Sequence, residues 1–292
     1  MVDIHKIKAF IEATKNIRVA VVGETITDEF VDVSYEGQSM KSTCPVYKLE
    51  GNKSVQHGGA NAIANHLKDF VKSVELISNR NNEITKTRYI DVTDRKKYVE
   101  INKFDTSNFK EIKVKTNDYD IVIVADFGHG FCDRLLINDG FHLMSQTNSN
   151  NFGFNRISKW KKHKKKSVCL DLREASLQIN RKIISPTEKD VKEIFDYELN
   201  TDNLFITTGK KGSIYSDGMT IKRMPSFKST IVDTLGAGDT FFAFSCLATH
   251  IKSKIDNVLL IPSLAASLST TWLCNEKSVT KKALLEHAAR YI

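Results

Sequence analysis

Short β-branched apolar runs punctuate the first two thirds of the chain, each ending at a glycine or polar residue. Ile17–Gly23, IRVAVVG, reads as a buried strand, and Val74–Ile77, Ile121–Ala125, Ser167–Leu172 and Leu204–Thr208 repeat the pattern. Gly58–Leu67 looks like a glycine turn opening a helix of small residues. After Asp239 the spacing becomes helical, over 240–250, 257–273 and 280–291. Strands alternating with helices predict an α/β fold with a central, mostly parallel sheet flanked by helices. Two pieces break that alternation: the polar stretch 31–56, and 85–104, where Thr87–Lys103 alternates like an exposed antiparallel hairpin. They predict a small β-sheet lid on a single domain spanning 1–292.

Composition narrows the setting. With 41% hydrophobic and 27% charged residues, the chain is an ordinary globular sequence rather than a disordered one. No apolar run approaches the roughly 18–20 residues that span a bilayer, and the start MVDIHKIKAF lacks a secretory apolar core. Five scattered cysteines without a C-x-x-C pair suggest neither a zinc knuckle nor a disulfide framework, so a cytoplasmic location is expected. The net charge of +8 is concentrated at Lys161–Lys166, KKHKKK. No aromatics interleave with these lysines to stack bases, so the run reads as a solvated loop, with no nucleic-acid or membrane partner.

The densest chemistry lies at 232–244, VDTLGAGDTFFAF. Gly236–Ala237–Gly238 at a helix start would leave backbone N–H groups bare, a ready anion site. Asp239 beside that cradle could accept the proton of an alcohol while the amides hold charge on a transferred phosphoryl group. By spacing alone, a plain helix start with an acidic first turn explains the motif equally well.

DTLGAGDTFFAF closely resembles the D-T-x-G-A-G-D signature of the ribokinase (PfkB) family of sugar kinases. VVGETITD at 21–28 is similar to that family's first strand with its sugar-binding Asp, here Asp28, and TTGKKG at 207–212 to its T-x-G-x-x-G stretch. The resemblance runs from about Ile17 to the C-terminus. It implies ATP-dependent phosphorylation of a small-molecule sugar or sugar phosphate with Mg2+. Asp239 would be the base; Gly236, Ala237 and Gly238 the anion hole; Asp28, Gly58, Gly59 and Asn61 the acceptor's contacts. Thr208, Gly209 and Gly212 would border the ATP phosphates, and Asn275 would edge the adenine.

Ser42–Leu49 and ADFGHG at 125–130 are similar to the heptose-7-phosphate kinase branch, with His129 at a lysine position. Lys86 and Arg88, in TKTR, would then meet a phosphorylated acceptor, and a homodimer through the lid is implied. A kinase of a free sugar or nucleoside, or a catalytically weak relative that binds a sugar nucleotide, are the alternatives. For Mg2+, Asp171 and Glu174 past a strand end are preferred over Thr187–Asp190, which mimics the flanking T-P. Either pair also reads as a plain helix N-terminus. His66 reads as a helix-surface or core histidine, and the amide-rich stretch Gln146–Asn155 as a pocket lining or a surface loop.

Overall fold

A computed structural model describes the chain apart from residues 1, 82, 108, 149–154 and 253–256, so most of the amide-rich stretch lies outside the described residues. Helix α1 (Ile4–Thr14) opens with the Asp3 carboxylate capping the His5 amide. In β1 (Arg18–Gly23), Val19 and Val21 pack on one face and Ala20 and Val22 on the other, as a strand covered on both sides requires. Two long strands, β2 (Thr25–Gln38) and β3 (Pro45–Gly59), then leave the core, and α2 (Ala60–Leu67) returns to it. Next come β4 (Ser73–Ile77), β5 (Ile84–Asp91), β6 (Lys97–Phe104), β7 (Ile112–Val114), β8 (Ile121–Asp126), β9 (Leu135–Ile137) and β10 (Phe141–Ser145). The remainder is β11 (Lys165–Asp171), α3 (Leu172–Gln178), α4 (Glu188–Asp196), β12 (Leu204–Thr207), β13 (Ser213–Ser216), β14 (Ile221–Met224), α5 (Ala237–His250), α6 (Leu260–Ser269) and α7 (Lys281–Ala288).

Eight strands form one sheet in the order β14-β13-β12-β11-β10-β8-β1-β4, parallel except that β13 runs antiparallel to both β12 and β14. Residues of α1, α2, α5, α6 and α7 fill the core on one face, and those of α3 and α4 the core on the other. β4 departs from its expected burial: it pairs with β1 alone, at the sheet edge, and stays half exposed. The 257–273 helix is also shorter than expected. Asn257 caps its start at the Leu259 amide, while Thr270 and Thr271 turn their hydroxyls onto the Ser267 and Leu268 carbonyls at its end.

The small sheet runs β3-β2-β5-β6, with β2 and β5 parallel and the outer pairs antiparallel. It is larger than the expected pieces, starting at Thr25 and reaching Gly59. Only Glu24 separates β1 from β2, and β3 ends where Gly59 crosses that residue. Gly59 sits at φ 63°, and a Cβ there would lie 2.3 Å from the Glu24 carbonyl oxygen, to which the Ala60 amide donates at 2.9 Å.

Part of the basic run is engaged by the fold. Lys161 pairs with Glu198 at 2.9 Å and Lys164 with Asp202 at 3.3 Å, while Lys165 is buried with its ammonium on the Trp160 carbonyl. Among the described residues, no helix is long and apolar enough to cross a membrane.

Candidate active site

At the start of α5, Gly236 takes the left-handed conformation (φ 83°) and supplies no side-chain cap. The first-turn amides therefore depend on something outside the helix. Of the three predicted anion-hole amides, that of Ala237 leans on the Thr234 carbonyl at 3.3 Å. Those of Gly236 and Gly238 meet no acceptor among the described residues, and the space where a Gly238 Cβ would stand is open. Asp239 is 9% exposed and makes no hydrogen bond there. Burial first, and then the charge of Asp28, push its carboxyl up to about 7, while Lys86 pulls it back.

The acceptor side is written in the register of the small sheet. Gln56, Asp28, Lys86 and Asn102 form one cross-strand row; Ser54, Phe30, Arg88 and Glu100 form the next. The rows face inward, with Asp28, Phe30, Lys86 and Arg88 all buried. Arg88 forms an ion pair with Asp28 and a second with Glu100 at 2.9 Å. Burial raises the Asp28 carboxyl, and Arg88 opposes that rise. This revises the predicted basic pair: the Arg88 guanidinium is occupied, and Lys86 is the cation without an ion pair among the described residues. Lys86 is 7% exposed, and its burial lowers the ammonium against the pull of Glu100, Asp28 and Asp239.

Asn275, expected beside the adenine, has its side chain against Gly58 and Gly236, with its amide nitrogen near where a Gly58 Cβ would go. Its backbone N–H donates to Gln56 Oε1 at 2.8 Å, and its own Oδ1 is buried without a partner among the described residues. A Cβ on Gly58 would sit 2.5 Å from Asp28 Oδ2 and 2.8 Å from Asn275 Nδ2. Gly58→Ala is therefore expected to displace both groups and lower acceptor kcat/KM by about 10²-fold, with the KM for ATP little changed; steady-state kinetics with each substrate varied check this. Asn61 of the same region is turned along α2, accepting from Asn65 at 2.7 Å.

The Thr208–Gly212 turn follows β12. Thr208 directs both its amide and its hydroxyl to the Gly212 carbonyl, each at 2.8 Å, and Gly209 (φ 59°) and Gly212 (φ 101°) close the loop. The Gly209 and Lys210 amides meet no acceptor among the described residues, and Lys210 and Lys211 ride on the turn. Such a nest with positive charge suits polyphosphate. It lies just beyond the carboxyl end of a parallel strand, as does Glu24, while Asp126 and Asp171 close theirs, the edge where open α/β sheets present ligand groups.

The predicted magnesium pair is a reciprocal helix cap. Asp171 accepts from the Glu174 amide at 2.7 Å, and Glu174 accepts from the Asp171 and Thr147 amides at 2.8 and 3.2 Å. Burial and Asp171 push the Glu174 carboxyl up to about 8, with a smaller push from Asp239. Asp171 Oδ2 accepts no hydrogen bond among the described residues, while the other three carboxylate oxygens of the pair each accept one. The competing Thr187–Asp190 pair is a cap of the same kind, further held by Arg181.

The sequence reading missed Glu24. Fully buried, it accepts from the Phe127, His129 and Phe131 amides at 2.8, 3.3 and 3.2 Å, which shapes the loop carrying His129. Burial and Asp126 push its carboxyl up to about 7. The His129 ring stacks on Phe104 of β6 at 4.8 Å, its Nε2 buried and without a partner among the described residues. Glu24, Asp126 and Cys132 face one another, but Asp126 already holds Trp160, Asn155 and Lys159, so the cluster is a satisfied core network. Also unforeseen is the 2.7 Å ion pair between Lys97 of β6 and Asp233, which joins the small sheet to the glycine motif.

Residues 163–271 match the pfkB family carbohydrate kinases, a segment running from before β11 through α6. The ribokinase of Lactococcus lactis subsp. lactis (strain IL1403) is 39% identical over 85 residues, covering 26% of this chain and 28% of that protein's length. A nucleoside kinase of Methanocaldococcus jannaschii, an archaeal member of the ribokinase family, superposes with a TM-score of 0.65 over 95% of this chain and 99% of its own, at 17% identity. The chain has the ribokinase-like fold. Ribokinase from Thermotoga maritima superposes similarly, with a TM-score of 0.64, 15% identity, and 94% and 99% coverage. The matched segment holds two of the groups described above: the Thr208–Gly212 nest and the start of α5.

Proposed function

We propose that this ribokinase-like protein transfers a phosphoryl group from ATP to a hydroxyl of a sugar phosphate, with a heptose 7-phosphate-like compound as the favoured acceptor. The observation that carries the reading is Asp239: a nearly buried carboxylate, without a hydrogen bond among the described residues, beside the open first turn of α5 and facing Asp28 and Lys86. In this reading Asp239 takes the hydroxyl proton, the alcohol oxygen bonds to the γ-phosphorus, and the bond to the β–γ bridging oxygen breaks to release ADP. The Gly236 and Gly238 amides face the charge on the transferred group, and the Gly209–Lys210 nest faces the nucleotide phosphates. Magnesium, when bound with ATP, would neutralise phosphate charge. Asp28 and Asn275 would hold acceptor hydroxyls beside Gly58.

Lys86 supports a phosphorylated acceptor, because a buried ammonium without an ion pair calls for an anion. The curated relative's name, ribokinase, favours a second reading, in which the acceptor is a free sugar. A panel of sugars and sugar phosphates assayed for ADP release tests both, with Lys86→Met as the diagnostic variant. Lys86→Met is expected to lose about 10- to 100-fold in kcat/KM for the phosphorylated acceptor and much less for a free sugar. Because Lys86 holds the Asp239 carboxyl down, the acidic limb of the variant's rate profile should also move to higher pH. Equal losses on both acceptors would leave the free-sugar reading standing. Unpaired thiols support a reducing cytoplasmic setting, and the exposed Val55 and Ile101 on the outer face of the small sheet support pairing of two copies there.

A further inference from the structure

Helix α2 carries His66, which is 2% exposed and does not touch the acceptor row. Its two ring nitrogens join segments that are far apart in sequence. Nδ1 lies 3.0 Å from the Val279 amide, and Nε2 lies 3.0 Å from Thr240 Oγ1. A backbone amide can only donate, so Nδ1 must be the acceptor and the single ring proton sits on Nε2. Thr240 Oγ1 then receives that proton's hydrogen bond, and its own hydrogen is directed to the Gly236 carbonyl, 3.0 Å away. The same carbonyl accepts from the Thr240 amide at 2.9 Å.

We infer that His66, as the neutral Nε2–H tautomer, is a positioning residue for the phosphoryl-transfer turn, relaying a fixed order of hydrogen bonds from Val279 through Thr240 to Gly236. The inference rests on the proposed function of that turn. Gly236 is the left-handed residue from which α5 starts, and a peptide group is planar, so a carbonyl held by two donors fixes the plane it shares with the Ala237 N–H. The next residues along this pinned turn are Gly238 and Asp239. The relay also binds α2, which opens at Gly58–Gly59, and the segment following Asn275, so the acceptor side and the transfer side share one rigid joint. Burial lowers the imidazole to about 4, which keeps the ring neutral and the order of donors unchanged at working pH. A protonated ring would set an N–H against the Val279 N–H.

The test pairs spectroscopy with kinetics. Imidazole 15N shifts of the whole protein should report the Nε2–H tautomer with no titration between pH 5 and 9; an Nδ1–H tautomer or an ordinary titration near 6.5 overturns the inference. His66→Leu should lower kcat at least 10-fold among molecules that remain folded, with both KM values within about twofold. His66→Gln, whose amide offers an acceptor and a donor at similar separation, should restore much of that loss. Thr240→Val should match His66→Leu, and the double variant should be no worse than either, because the two act as one unit. Loss of stability alone, with kcat unchanged, overturns the inference. Should the wild-type protein phosphorylate no acceptor, the proposed function fails. The inference is then decided by the Gly236–Asp239 amide resonances, which must move in His66→Leu and return in His66→Gln; unmoved resonances overturn it.

Discussion

Asp239→Asn is expected to lower kcat by about 10²–10⁴-fold while leaving ATP binding nearly intact, because the amide keeps the shape of the α5 turn and loses the proton acceptor. Stability should move the opposite way. The Asp239 carboxyl titrates near 7 in the fold because burial and Asp28 disfavour its charge. A carboxyl raised above its unfolded value stabilises the fold fully below about 4, and that contribution is lost as pH rises through about 7. The variant has no such loss, so its melting temperature should gain on the wild type between pH 5 and pH 8. The wild-type rate should climb across the same interval, as the base ionises. Thermal melts and pH–rate profiles on the two proteins check both halves. Wild-type turnover in the variant would remove Asp239 as the base, and with it the reading of the site.

Arg88→Met carries the largest expected cost to the fold. Arg88 and Asp28 form an ion pair whose side chains are both nearly buried, and Glu100 holds the other side of the guanidinium. Removing the cation strands the Asp28 charge in a low-dielectric pocket, at a cost of about 3–5 kcal/mol. Part of that charge would be relieved by protonation, which Asp28 already leans toward through burial. Arg88→Met combined with Asp28→Asn should recover most of the stability, since no buried charge is then left over, yet recover little activity. Urea unfolding of the single and double variants, with acceptor kinetics on each, separates the two effects. A single variant as stable as wild type would mean that the pair contributes nothing net.

What could be read from the sequence divides along physical lines. Buried parallel strands announce themselves as unbroken β-branched runs, which is why β1, β8, β11 and β12 and the helical C-terminal third were legible. Strands that are short or compositionally mixed were not: β10, FHLMS, is buried throughout yet carries a histidine and a serine, and His142 is tolerated there by its 2.7 Å bond to Ser167. Local motifs placed the start of α5 and the Thr208–Gly212 nest, because the chemistry of each lies within a few consecutive residues. Roles that depend on register were illegible. That Arg88 answers Asp28, that Lys86 has no ion pair among the described residues, and that Asn275 comes to rest against Gly58 all follow from strand pairing or long-range approach, which no spacing along the chain encodes. The expected magnesium pair carries a second pattern: an acid three residues beyond another at a helix start is also that of a reciprocal cap, and Asp171 and Glu174 are engaged as one.

The crossing of Glu24 and Gly59 has a mechanical meaning. Two of the four chain passages between the two sheets, β1 to β2 and β3 to α2, go through one point, where the backbones touch too closely for even a methyl group. Any swing of β2 and β3 over a substrate is held at that pinch, beside which their pairing begins at Thr25 and Gly59. Motion is thereby amplified toward the far ends of β2 and β3 and suppressed at Asp28 and Gly58, so the grip nearest the reacting hydroxyl stays still while the rim of the cleft travels.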